Sequence, residues 1–362
     1  MHFTITRKDI IPVLTRCAAI ADRKSTMPIL ANVLLAAADD LLTVSATDLS
    51  RSVTGTVCTA DAEAGSVAVD ARGLLDRVKA MPEGAIVFAT KGPTLEIKAK
   101  GASRRYTLGT IPGDEFPALP DPGKAKVVAT GLDGSLAKAI RSVRFAVSAD
   151  ETRLHLNSML LNGNGEGLLF AATDGHRLSL ATLTSTAKVR DILIPLPALD
   201  EIIAASESAG CSLALDAHHL FVTASTLTVA IKLADATFPP YQQVVPPRAD
   251  TFSVDRSALL EAFRSVVLAA SDKTGGVLCK LDGSTLTLKA ESPDGGEGVD
   301  EVAVDWAGKS HAVGLNARYV LDVLGALDCE RVDIAVTGEL DPVTIRPAGA
   351  DTYTAVVMPM RI

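Results

Sequence analysis

Along the chain, apolar positions alternate, then fall into a helical stripe, then alternate again, and this order recurs. Phe3-Thr4-Ile5 alternates as a strand does. Arg7–Ala21 carries Ile10, Ile11, Val13, Leu14, Cys17, Ala18 and Ala21 at helical spacing. Pro12 fits a helix only near its first turn. Two alternating runs follow, NVLLAAA and LLTVSATD, joined by a turn at Asp39-Asp40. Residues 127–174 repeat the series. There VVATGL precedes a helix expected from about Asp133 to Val147, with Leu136, Ala139, Ile140 and Val143 on one face, and then come LHLNSMLL, a turn at Gly163–Gly165, and GLLFAATD. Residues 251–292 give a third copy, with Asp255 as helix N-cap, Leu259, Leu260, Phe263 and Val266-Val267 on the helix, and a turn at Asp282-Gly283.

A second unit follows each of these: SVAVDARGLLDRVKAM, DILIPLPALDEIIAAS and HAVGLNARYVLDVLGAL. Each reads as a strand, a helix start and an apolar helix face, with Asp70 and Asn316 as N-caps and Pro197 in a first turn. The second units close on Phe116-Pro117, Phe238-Pro239 and Met358-Pro359, and the first units on Ala46-Thr47-Asp48, Ala172-Thr173-Asp174 and Ala290-Glu291-Ser292. The repeat predicts an α+β fold of three similar domains of about 120 residues, each a pair of β-α-β-β-β units. The joints fall in the Pro/Gly-rich stretches 117–126 and 243–250, giving domains 1–122, 123–248 and 249–362. Six quasi-equivalent units favour a closed ring over a single catalytic cleft.

Composition narrows the function. The chain has 362 residues, 48% of them hydrophobic, and no apolar run of the length a membrane span needs. Its start alternates like a strand rather than reading as a signal peptide. Five scattered cysteines without a CxxC pair point to reduced thiols in a cytoplasmic protein, not to disulfides or zinc. No metal or other cofactor is called for. His218-His219 lacks further ligands, and the NGNGEG turn lacks the Lys-Ser/Thr of a phosphate loop. Aromatics are 4%, too few for base-stacking platforms, and a net charge of −8 argues against ordinary nucleic-acid binding. It leaves room for an acidic exterior with a locally basic lining.

One turn concentrates chemistry: ATDGHRL, Ala172–Leu178. Asp174 and His176 could form an acid/base pair, but no nucleophile or third orienting group accompanies them. A polar hairpin turn is the bland alternative. The earlier ATDL at Ala46–Leu49 makes the Thr-Asp turn part of the repeat and leaves Gly175–Leu178 as the addition peculiar to the second copy.

With TMPILANVLL (26–35), ATDGHRL, FPPY (238–241), LNARYVLDVL (315–324) and VVMPMRI (356–362) in order on a threefold repeat, the whole chain resembles the bacterial sliding-clamp family, the β subunits of DNA polymerase III. The resemblance implies two chains joined head to tail in a ring around double-stranded DNA, with helices inside and sheets outside. It implies a non-catalytic processivity factor, with the polymerase III catalytic subunit, a clamp loader, translesion polymerases and mismatch-repair proteins as partners. A divergent clamp serving repair or a plasmid is the alternative.

By the same resemblance, a hydrophobic groove for partner peptides falls on Leu156, Thr173, Gly175, His176, Arg177, Leu178, Pro239, Gln243, Val244, Asn316, Tyr319, Leu340, Pro342, Val356, Val357, Met358, Pro359, Met360 and Arg361. Gly175 lets a partner backbone come close, Met358 and Met360 adapt to varied side chains, and Arg177 and Arg361 are expected at a rim. Gln243 stands where clamps often have arginine, and Pro342 at a variable position. DNA-proximal residues are expected at Lys24, Arg72, Arg77, Lys79, Lys138, Arg141 and Arg144, with Asp150 an acid in a loop that is polar in the family. A subunit joint is expected between a basic edge, Lys98, Lys100, Arg104 and Arg105 around Tyr106 and Leu108, and an acidic one, Glu291, Asp294, Glu297, Asp300, Glu301 and Asp305. Ala269-Ala270 falls where larger apolar residues are expected, which implies a weaker dimer.

Overall fold

The computed structural model describes every residue except 208–209, 248–249, 272–273 and 293–294, so Asp294 and the expected 248/249 boundary lie outside the described residues. The chain passes six times through strand, helix and three strands. The first pass is His2–Thr6, helix α1 (Arg7–Ile20), Asn32–Ala38, Leu41–Thr47 and Arg51–Cys58. The other α-helices among the described residues are α2 (Ala71–Ala80), α3 (Gly134–Arg144), α4 (Leu196–Ser206), α5 (Arg256–Val266) and α6 (Ala317–Ala326). Two short strands, Ala60–Glu63 and Ile111–Pro112, are additions to the sixfold pattern.

The chain divides into two compact units. One is Met1–Gly134 with Ala204–Leu233, the other Ser135–Ile203 with Ala234–Ile362. The first holds a five-stranded and a nine-stranded antiparallel sheet, the second a twelve-stranded one. In the first, Phe3 and Phe88 are fully buried and stack with ring centroids 4.7 Å apart. The alternation of Phe3 and Ile5 inward along the strand sets that register, because a slip of one residue would expose both.

The helices start where side chains cap them. Asp70 accepts from Gly73 N at 2.6 Å, Asp255 from Ala258 N at 2.8 Å, and Asn316 from Arg318 N at 3.0 Å. Thr6 caps α1, accepting from Asp9 N at 3.2 Å while its hydroxyl donates to the Asp9 carboxylate. Two expectations need correction. Pro12 lies inside α1, beyond its first turn. It is tolerated on an exposed face, where water can reach the Lys8 carbonyl that Pro12 leaves without a donor. Helix α3 ends at Arg144 rather than Val147. The chain tightens there through Ala146 N–H to Val143 and Val147 N–H to Arg144, and the carbonyl of Phe145 is taken by a side chain, Arg177.

Candidate functional site: a groove beside the Asp174 turn

The turn is built from Asp174 outward. One carboxylate oxygen accepts the backbone N–H of His176 (2.9 Å) and of Arg177 (3.0 Å), and the other accepts Arg177 Nε (3.0 Å). Thr173 closes the loop, its hydroxyl donating to the Arg177 carbonyl at 2.7 Å and accepting Gly175 N–H at 3.1 Å. Gly175 sits at φ 94°, a left-handed conformation that glycine adopts without strain. The carboxylate of Asp174 is thus spent on the turn itself, and its partner at His176 is the backbone N–H rather than the imidazole. The imidazole stacks on Tyr319 of α6, centroids 6.2 Å apart.

Arg177 is not a rim residue. Its side chain is 12% exposed. Its guanidinium also binds the Asp322 carboxylate on α6 and the Phe145 carbonyl (2.7 Å), and lies 4.6 Å from the centre of the Tyr319 ring and 5.1 Å from that of Phe145. A planar guanidinium satisfied on its edge and stacked on its face ties the turn to α6 and to Phe145, the residue that follows α3.

The earlier copy of the turn corrects a second expectation. Thr47 donates to the Arg51 carbonyl (2.9 Å) and accepts Leu49 N–H (3.0 Å). Asp48 accepts Ser50 N–H (2.9 Å), Arg51 N–H (2.8 Å) and Arg51 Nε (2.9 Å). Burial raises the Asp48 pKa, but bonds from Ser50 and Arg51 together outweigh it and hold the carboxyl below its ordinary range. The repeated element is Thr-Asp-x-x-Arg, so Arg177 belongs to the scaffold. Gly175, His176 and Leu178 are what distinguish the second copy.

Beside this turn lies a cavity of about 380 Å³. Its wall includes ten of the expected residues: Leu156, Thr173, Gly175, Arg177, Leu178, Pro239, Gln243, Val244, Val356 and Met358. The strand Arg177–Thr184 pairs with Tyr353–Val357, placing Val356 opposite Leu178, and Met358 N–H donates to the His176 carbonyl at 2.9 Å. Leu156, Leu178 and Val356 are buried, while Val244 and Met358 are exposed at 44% and 37%. The result is an apolar floor with exposed apolar edges. Three wall residues lie outside the expected set: His155, Pro240 and Tyr241. The FPPY motif carries the signal for the last two, because Phe238 and Tyr241 pack on Leu160, Ala171 and Leu193 and hold the two prolines between them.

The other expected groove residues lie off this wall. Tyr319 and His176 form the stacked pair at its side. Asn316 caps α6. Val357 points into the core, fully buried, and Leu340 is 60% exposed. Met360 N–H donates to the Gly314 carbonyl, so the segment after Met358 runs over Gly314 and Gly276, where a Cβ at Gly314 would stand 2.3 Å from the Met360 carbonyl. Pro359 and Arg361 share that course, and Pro342 directly precedes the strand Val343–Pro347.

The expected DNA-proximal cations are largely engaged. Arg72 pairs with Asp76 (3.5 Å), Lys138 with Asp328 (3.2 Å) and Arg144 with Asp200 (2.6 Å), and Arg77 donates to the Gly73 carbonyl (2.9 Å). Lys24, Lys79 and Arg141 are exposed. Asp150 is held below its ordinary range by bonds from Thr152 and the charge of Arg153.

At the expected joint, Arg104 donates to the Ala80 carbonyl at the end of α2, while Arg105, Tyr106 and Leu108 lie on the strand Arg105–Gly109, an edge of the five-stranded sheet. Glu297, Asp300 and Glu301 lie on the strand Glu297–Asp305. A Cβ at Gly298 would stand 2.9 Å from the Ala269 methyl, so Ala269 packs within its own chain. Ala270 is half-buried, and the apolar side chain exposed there is Leu268, at 87%.

Three family models match along the chain: the DNA polymerase III β subunit N-terminal domain over residues 1–120, its central domain over 133–240, and its C-terminal domain over 242–361. The chain belongs to the DNA polymerase III β-subunit family. The β sliding clamp of Pseudomonas putida is 32% identical, and that of Escherichia coli K12 29%, each over the full length of both chains. A crystal structure of the Pseudomonas aeruginosa sliding clamp bound to griselimycin superposes with a TM-score of 0.95 at 32% identity, covering both chains completely. The α+β architecture expected from the repeat, and the clamp fold that the resemblance implied, are therefore those of this β-subunit family member.

Proposed function

We propose that the protein is a sliding clamp: two copies joined head to tail form a ring around double-stranded DNA and tether the replicative polymerase without catalysing a reaction. The cavity beside the Asp174 turn carries this reading. Its apolar floor of Leu156, Leu178 and Val356 and its pliant edge at Met358 suit a short peptide with one or two large apolar side chains. Each such side chain contributes about 1.5–3 kcal/mol on burial, so one or two of them hold a peptide weakly enough for polymerase, clamp loader and repair proteins to exchange. The residues 1–122, 123–248 and 249–362 are its three domains, acting in the cytoplasm. The ring joins the edge strand of Arg105, Tyr106 and Leu108 to the acidic strand of Glu297, Asp300 and Glu301, with Leu268 beside it.

Topological retention tests the ring. Loaded by a cognate clamp loader, the protein stays on nicked circular DNA and is lost when the circle is linearised. Equal loss from both substrates would sink the reading.

A further inference from the structure

The repeat that duplicates the Asp174 turn also duplicates the groove. The strand Arg51–Cys58 pairs with Leu227–Lys232 as Arg177–Thr184 pairs with Tyr353–Val357: Arg51 faces Ile231 and Ser52 faces Ala230, where Arg177 faces Val357 and Leu178 faces Val356. Lys232 N–H donates to the Ser50 carbonyl at 2.8 Å, the counterpart of Met358 to His176. Ala118, Leu119 and Pro120, following Phe116-Pro117, stand where Pro240 and Tyr241 follow Phe238-Pro239. The cavity enclosed is about 590 Å³, against about 380 Å³ for the groove at Asp174.

The frame is shared and the lining is different. Leu178 becomes Ser52, Val356 becomes Ala230 and Met358 becomes Lys232. His218 and His219 stand at the side. The nearby acids are already committed: Asp48 to Arg51 and two backbone N–H groups, and Asp216 to the N–H groups of His218 and His219 and the His219 ring. Lys232 is exposed and has no ion-pair partner among the described residues. Leu49, 53% exposed, and the half-buried Leu119 supply the apolar area that remains. The groove therefore offers a cation, the His218 imidazole and a modest apolar patch.

We propose that this groove is a second docking site, selective for a short extended acidic segment of a partner protein, whose carboxylates meet Lys232 and the His218 ring while an apolar side chain rests on Leu49 and Leu119. Charge complementarity separates it from the apolar groove, so the two sites take different partners. The inference stands on residues of a single compact unit and does not depend on the ring.

The test uses the full chain and two fluorescein-labelled octapeptides, one of six glutamates around two leucines and one with lysines replacing the glutamates, read by anisotropy. The glutamate peptide should bind saturably and the lysine peptide should not. Lys232→Glu should weaken binding by about tenfold or more, as expected for loss of a charge-assisted contact, and Lys232→Arg should retain it. Met358→Lys, in the other groove, should leave it unchanged. Absence of saturable binding, equal binding to the Lys232→Glu protein, or loss in the Met358→Lys protein instead would overturn the proposal. So would a labelled oligothymidylate that displaces the glutamate peptide and loses binding in the Lys232→Glu protein, because that marks a nucleic-acid surface.

Discussion

Gly175 and Leu49 hold the same left-handed position in two copies of one turn, at φ 94° and 72°. Leucine is strained there, by roughly 1–2 kcal/mol, and glycine is not. A Cβ at Gly175 would meet nothing within 4 Å, so Gly175→Ala isolates the backbone cost. That substitution should lower unfolding free energy by about 1 kcal/mol, and Leu49→Gly should move it the other way. Urea denaturation of both variants checks the pair, and a shared sign would contradict the equivalence of the turns. The Thr-Asp echo was legible because identical letters recur at 46 and 172. The recurrence of arginine four residues after each threonine, at 51 and 177, was equally present in the letters. Its meaning emerges only from the hydrogen bonds, which show one guanidinium closing its own turn and the other also reaching Phe145 and α6.

The six helices were readable because each buries one apolar stripe and most begin at a capping Asp, Asn or Thr. Their ends were less so. Helix α3 stops at Arg144 as the chain tightens into i→i+3 bonds at Ala146 and Val147, and the Phe145 carbonyl that follows is bound by Arg177, a residue remote in sequence, which no local pattern announces. The caps make a clean prediction. Asp255 accepts Ala258 N–H at 2.8 Å, and α5 buries Leu259, Ala262, Phe263 and Val266 behind that first turn. Asp255→Ala should cost about 1 kcal/mol, read as a lower denaturation midpoint with an unchanged slope. Asp255→Ser should recover most of it. The groove wall divides along the same line: Pro239 and Val244 follow from the resemblance, whereas His155 and Tyr241 join through packing that depends on how the FPPY segment folds back on Leu160 and Leu193.

For the whole molecule, the expected weakness at Ala269-Ala270 shifts once Ala269 is seen against Gly298 and Leu268 is seen exposed. In the proposed ring, Leu268 is buried at both joints. Leu268→Glu should therefore raise the dimer dissociation constant by at least about 100-fold, since two apolar contacts of roughly 1.5–3 kcal/mol each are lost. Sedimentation across a dilution series measures it, and a mutant dimer as tight as the wild type would remove Leu268 from the joint. The pairing of Arg177–Thr184 with Tyr353–Val357 has a further consequence, for folding. Two stretches from opposite ends of the second unit must meet before Leu178 and Val356 can share a floor, and contacts of such long sequence separation form slowly. Until that pairing closes, the groove lacks Val356 from its floor and Met358 from its edge. A peptide whose side chain rests on Val356 and Met358 thus reports molecules in which that pairing has formed.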